Sequence, residues 1–176
     1  CVDVNRRALL LAKLNFEWNR DVTSDNGDAC LQLDLVLGDL REDQGQRLLV
    51  DAVNGITTLS SPESWSELLA RPTLILSNPP FLPVPDVDTI IDNRHGWFSG
   101  GGPSGEDLLE RVIELSSELL SEQGTLAVVS EFMNPHLVGK RIQEWWDRRC
   151  SDSKVATAPA TGVLFTNQAP IDASTY

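Results

Sequence analysis

Thr73-Leu74-Ile75-Leu76-Ser77-Asn78-Pro79-Pro80-Phe81 is the stretch that decides the fold. Thr73–Leu76 is a compact apolar run, the pattern of a strand buried on both faces. It runs straight into Asn78-Pro79-Pro80-Phe81. Two consecutive prolines remove two backbone donors and fix two φ angles, so the strand ends in a stiff elbow with free carbonyls. In open α/β sheets, ligands sit beyond the carboxyl ends of strands. The Asn78 side chain offers both an acceptor and a donor. Asn78 and the Pro79 carbonyl together suit a planar amino group, accepting its hydrogens while the Phe81 ring packs on its plane. The competing reading is a strand-ending turn without function.

Upstream of this stretch, Val2 closes a short strand and Asn5–Trp18 reads as a helix, with Leu10, Leu14 and Trp18 at helical spacing. Asp25–Asp28 is a turn cluster, and Leu31–Leu37 alternates as a strand stopped by Gly38-Asp39. Gln46–Val53 and Pro62–Ala70 carry short helical patterns, the second with Ser61 as cap and Pro62 as first residue. Downstream, Ser104 opens a long helix with Asp107 at the spacing of a capping box. Its apolar stripe is Leu108, Val112, Leu115 and Leu119. Gln123-Gly124 ends it, Thr125–Val129 is another buried-type strand, and Pro135–Arg149 is a further helix. Val155–Ala158 and Val163–Thr166 read as a closing hairpin. Strands alternating with helices predict a single α/β domain with a mostly parallel sheet.

Composition narrows the function. The chain of 176 residues has 14 Lys+Arg against 26 Asp+Glu, a net charge of −12. Nucleic-acid binders draw affinity from clustered cations, and Arg6-Arg7 and Arg148-Arg149 are the longest basic groups here. No apolar run approaches the roughly 18–20 residues that span a bilayer. Cys1, Cys30 and Cys150 lie far apart with no CxxC pair, so they predict neither a zinc knuckle nor a disulfide framework but buried free thiols in a reducing cytoplasm.

Two further acids stand at strand ends. Asp3 lies between a strand and a helix, where a carboxylate can accept both hydroxyls of a ribose. Asp39 follows the next strand, where it can accept from an adenine amine. Taken singly, an Asp at a strand end is more often a helix cap or a turn residue. Gly100, Gly102 and Gly105 match G-x-G-x-x-G, but no strand leads into them, so they read as a flexible loop flanking the active site and not as a pyrophosphate cradle. His95 and His136 stand apart in sequence and support neither a metal site nor a nucleophilic triad.

In this order the motifs resemble class I S-adenosylmethionine-dependent methyltransferases, and more closely the HemK-like branch that includes release-factor glutamine methyltransferases. Val2-Asp3-Val4-Asn5 looks like the ribose-binding acid and helix start. Leu37-Gly38-Asp39-Leu40 resembles the adenine-contacting segment, and Asn78-Pro79-Pro80-Phe81 is similar to the catalytic N-P-P-[YF]. Gly101-Gly102 through Gly105-Glu106-Asp107-Leu108 resembles the G-G-x-x-G stretch before the fourth main helix, and Gln123-Gly124-Thr125-Leu126 the turn into the next strand. The resemblance spans residues 1–133.

The resemblance implies a Rossmann-like sheet, mostly parallel with a C-terminal antiparallel hairpin, and S-adenosylmethionine as cofactor. It implies Asn78, Pro79 and Phe81 in catalysis, and Asp3, Val4, Asp39, Leu40 and Asn78 at the cofactor. The family's first strand and glycine-rich loop find no match, so residues 1–176 read as part of a catalytic domain of a longer chain, lacking the central strand. The segment from Asp39 to Asn78 is longer than the family's and predicts an extra surface helix. The implied activity is N-methylation of a protein glutamine amide, on a cytoplasmic protein substrate such as a translation factor, with no membrane partner. Two alternatives stay open: methylation of an exocyclic amine in RNA or DNA, which the net charge disfavours, and a non-catalytic Rossmann-like module that binds a nucleotide or a protein.

Overall fold

A computed structural model describes residues 1–20, 32–51, 55–84, 100–132 and 134–150. In chain order the elements are β1 (Val2–Asp3), α1 (Arg6–Arg20), β2 (Leu35–Leu37), β3 (Gln44–Asp51), β4 (Gly55–Leu59), β5 (Glu63–Ser64) and α2 (Trp65–Leu69). Then come β6 (Leu74–Ser77), α3 (Asp107–Leu119), β7 (Thr125–Val128), a 3-10 turn (Pro135–Leu137) and α4 (Val138–Cys150). No helix among the described residues is long and apolar enough to cross a membrane.

The strands form two sheets, one ordered β1-β2-β3-β4 with β5 on β3, the other β6-β7. The pairs β1–β2 and β6–β7 are parallel, whereas β2–β3, β3–β4 and β3–β5 are antiparallel. The architecture is therefore mixed α/β. The expectation of a mostly parallel sheet holds for the pairs that carry the site motifs and fails for the segment between them. The hairpin expected over 155–166 and the turn at 25–28 lie outside the described residues.

That intervening segment is the main correction. Gln46–Val53, expected as a helix, falls largely on β3. Its Leu48 is buried beside Leu9 of α1 and Leu35 of β2. The backbone pairs with β2 on one side and β4 on the other, a tertiary gain that overrides a short helical pattern. Among the described residues, only one short turn-and-a-half, α2, stands where the extra helix was expected, and its cap is Ser64 and not Ser61. The Glu67 carboxylate accepts from the Ser64 backbone N–H at 2.9 Å and from its hydroxyl at 2.7 Å. Trp65 is buried and its indole donates to the Glu42 carbonyl at 2.7 Å, which locks α2 onto the turn before β3.

Helix α3 holds the two sheets together. Its Leu115 and Leu119 pack with Val36 of β2 and with Trp65 and Leu68 of α2. Its Leu109 and Ile113 pack with Trp145 of α4 and with Leu126 and Val128 of β7. Leu115 and Leu119 of the predicted stripe thus share one core, while Leu109 and Ile113, beside that stripe, enter the other. Leu35, on the face of β2 opposite Val36, meets Leu9 of α1, so β2 is covered on both faces.

Strand β6 departs from expectation. Ile75 pairs in register with Leu126, whose face meets α3 and α4. Leu74 and Leu76 point the other way and are 54% and 72% exposed, with Val129 beyond β7 also exposed. The apolar run is covered on one face only among the described residues. Leu11, Leu14 and Trp18 of α1 are exposed as well. Finally, Cys1 is an exposed free thiol, where a buried one was expected.

Candidate functional site

The site residues lie just past the carboxyl ends of parallel strands. Asp3 closes β1 and sits in register with Leu37, the last residue of β2. The Gly38 N–H donates to the Asp3 carbonyl at 3.1 Å, extending the ladder to within one residue of Asp39. Asp3 and Asp39 therefore leave neighbouring strands in the same direction at the same edge. Asn78 follows β6 directly, and the Val129 N–H donates to the Ser77 carbonyl at 3.0 Å to close that parallel pair.

The two edges lie at one end of the molecule, as α3 shows. Before its first turn, the loop Gly101–Gly105 packs against the elbow: a Cβ built on Gly101 would stand 2.7 Å from the Pro80 carbonyl oxygen. Arg111, in its second turn, donates from Nε to the Leu40 carbonyl at 2.8 Å, three residues past β2. Beyond its other end, the Ser121 N–H donates to the Pro72 carbonyl at 3.1 Å, before β6 begins. The N-terminal half of α3 thus faces the carboxyl ends of both β2 and β6.

The elbow is braced from its far side. Leu82 forms a parallel bridge with Gly100. The Gly101 N–H donates to the Leu82 carbonyl at 2.8 Å and the Val84 N–H to the Gly102 carbonyl at 2.9 Å. The Gly101 carbonyl in turn accepts the Asp107 N–H at 2.9 Å, and Ser104 Oγ accepts the Glu106 N–H at 3.0 Å. These satisfy donors that a helix start otherwise leaves open. Gly102 and Gly105 have φ of 88° and 77°, which L side chains rarely adopt. The glycine run therefore braces the Pro80–Phe81 elbow and the start of α3. The helix starts at Asp107, later than the expected Ser104.

Asn78 is exposed, Pro79 is buried, and Pro80 and Phe81 are half-buried. The arrangement leaves the Asn78 side chain open to a ligand on a base that Pro79 anchors. Asp3 accepts the Asn5 N–H at Oδ1 at 2.7 Å, so the turn role open to it in the sequence is realised. Val4 is exposed, and Leu40 packs against the Val36–Trp65 cluster. Asp39 carries a partner that the sequence reading missed: Arg41 Nε donates to its Oδ1 at 2.9 Å and Oδ2 at 3.0 Å. Partial burial pushes the Asp39 carboxyl up, but the hydrogen bonds and charge of Arg41 outweigh this and hold it below its ordinary value. Bonding to Asp39 holds Arg41 above its own. An amine reaching Asp39 must share it with Arg41.

A buried ion pair stands behind the elbow. Glu106 is buried and bonds Arg141 of α4, whose NH2 group also donates to the Asn134 carbonyl at 3.0 Å. Glu106 Oε1 and Arg141 Nε are buried and have no protein partner. No motif marked this pair or Arg111. The signal available for Arg111 was its position one turn before Leu115 on the face that packs toward β2.

Comparisons with protein-family models, with curated proteins and with solved structures found no match to this chain.

Proposed function

We propose that this chain forms the target-binding half and part of the cofactor-binding half of an S-adenosylmethionine-dependent N-methyltransferase acting on a protein glutamine amide. One observation carries the reading: Asn78-Pro79-Pro80-Phe81 ends a parallel strand at the same end of the molecule where Asp3 and Asp39 end two others. An Asn oxygen and a proline carbonyl, fixed by a buried Pro79 and a braced loop, suit the two hydrogens of a planar amide nitrogen. Two carboxylates at neighbouring strand ends suit the hydroxyls and the amine of an adenosine.

Bound S-adenosylmethionine would supply the reaction's electrophile, a methyl group on a sulfonium. The chain's own part is orientation and electrostatics. Asn78 and the Pro79 carbonyl accept from the amide N–H groups, turn the nitrogen lone pair toward the open side, and stabilise the positive charge that develops on nitrogen. Phe81 packs against the plane of the amide. The net charge of −12 ranks a protein amide above a nucleic-acid amine.

The sheet break supports the finer fold reading as well. β1 and β6 are both edge strands with one side unpaired among the described residues. Leu74, Leu76 and Val129 lie bare on the face away from α3, and α1, on that same side of β2, bares Leu11, Leu14 and Trp18. A further parallel strand between β1 and β6, followed by a covering helix, would pair both edges and bury these side chains. In a Rossmann-like methyltransferase this is the place of the strand that carries the glycine-rich cofactor loop. The test is incubation of the natural polypeptide containing residues 1–176 with isotope-labelled cofactor and either cell protein or ribosomal RNA. Label in protein, on a glutamine amide by peptide mass spectrometry, supports the reading; label in neither counts against it.

A further inference from the structure

We infer that Arg111 of α3 is a positioning residue for the segment Asp39–Asp43, which carries the acid proposed to meet the adenine amine. The inference rests on the function proposed above and assigns part of that site to a residue outside its motifs. Arg111 lies 71 residues from Leu40 in sequence, yet its Nε donates to the Leu40 carbonyl at 2.8 Å. Its guanidinium also reaches Asp43 Oδ1 at 2.8 Å and lies 3.9 Å from Glu114 Oε2. The Arg111 side chain is only 13% exposed, whereas Asp43 is 87% exposed. The bond to the Leu40 carbonyl is therefore the shielded one and the Asp43 pair the solvated one, worth little on its own.

The geometry makes this bond specific. Leu40 is the residue after Asp39, and its carbonyl belongs to the Leu40–Arg41 peptide, so the bond from Arg111 fixes the chain one residue past the acid proposed to accept an adenine amine. On the preceding side, Gly38 is held by its N–H bond to the Asp3 carbonyl and by the Trp65 ring, which a Cβ at Gly38 would approach to 2.7 Å. Asp39 is thus suspended between two fixed points, and Arg111 supplies the second. Because Arg111 sits on the helix that also starts against the Pro80–Phe81 elbow, the same rigid element sets the spacing between the adenine end and the target end.

Lysine at this position keeps the charge but not the planar guanidinium whose Nε donates to the Leu40 carbonyl. The experiment is calorimetric titration of S-adenosylhomocysteine into the natural polypeptide as wild type, Arg111→Lys and Asp43→Ala, with steady-state kinetics alongside. The wild type binds, Arg111→Lys binds about tenfold more weakly at unchanged stoichiometry, and the loss falls on the KM for S-adenosylmethionine. Asp43→Ala stays within about twofold of wild type, as a solvated pair implies. A purely structural Arg111 would lower the stoichiometry by unfolding a fraction of the protein and leave the affinity of the rest intact, and that result overturns the inference. Equal affinity and stoichiometry in wild type and Arg111→Lys also overturn it while leaving the proposed function standing. No heat from the wild type overturns both.

Discussion

Replacing Gly105 by alanine probes the packing that holds the elbow. Gly105 adopts a φ of 77°, and a Cβ there would stand 2.5 Å from the Phe81 carbonyl oxygen and 3.1 Å from the Pro83 nitrogen. The left-handed backbone costs an L residue about 1–2 kcal/mol. Forcing a methyl into closed packing costs about 1–3 kcal/mol more. The partners are backbone atoms, so no side chain can swing away to relieve the contact. Gly105→Ala should therefore lower the free energy of unfolding by about 2–5 kcal/mol, and at the lower bound the Tm by roughly 4–8 °C. The strain is relieved by moving the loop off Phe81, so kcat should fall further than affinity for S-adenosylmethionine. Urea denaturation followed by tryptophan fluorescence gives the first quantity, and kinetics on the natural polypeptide give the second. Gly139 in α4 is the matched control, because a Cβ there meets nothing within 4 Å. Gly139→Ala should stabilise by about 0.5–1 kcal/mol through helix propensity alone. A Gly105→Ala protein as stable as wild type would refute the argument that the glycine loop is wedged against the elbow.

Two other perturbations follow from the ion pairs. Glu106→Gln leaves the partly exposed guanidinium of Arg141 without its countercharge and should destabilise by about 1–3 kcal/mol, while the double variant Glu106→Leu with Arg141→Met should regain most of the loss in the same denaturation assay. The depressed pKa of Asp39 fixes the sign of an acid effect. A folded value below the unfolded one gives stability that is full above the ordinary carboxylate pKa of about 4 and is lost as pH falls through the lower folded value. Asp39→Asn should therefore flatten the decline in Tm below about pH 4, and an unchanged acid limb would contradict the assigned role of Arg41.

The parts legible in the sequence are those whose pattern and burial agree. Helix α3 was readable because Val112, Leu115 and Leu119 recur at helical spacing and all three are buried. Strand β6 and its stop were readable because two prolines end any ladder. The β3–β4 pairing was not, because Leu48-Leu49-Val50 is a short apolar run whose state is set by partners on β2 and β4. The exposure of Leu74 and Leu76 was hidden for a related reason: an apolar run states what a strand needs, not what covers it. Asp3, Asp39 and Asn78 were singled out by their expected places after strands, and each stands at a strand end in the structure. Arg41, Arg111 and Glu106 were missed because their roles depend on contacts that no local spacing encodes.

The central claim is that Asn78 orients a nitrogen for methyl transfer. Single-turnover methylation of a glutamine-containing peptide from labelled S-adenosylmethionine, by wild type and Asn78→Ala forms of the natural polypeptide, tests it most directly. The expected rate for Asn78→Ala is lower by about 10²–10³, with affinity for S-adenosylhomocysteine within about twofold of wild type, less than one hydrogen bond's worth. Equal rates in the two proteins would contradict it.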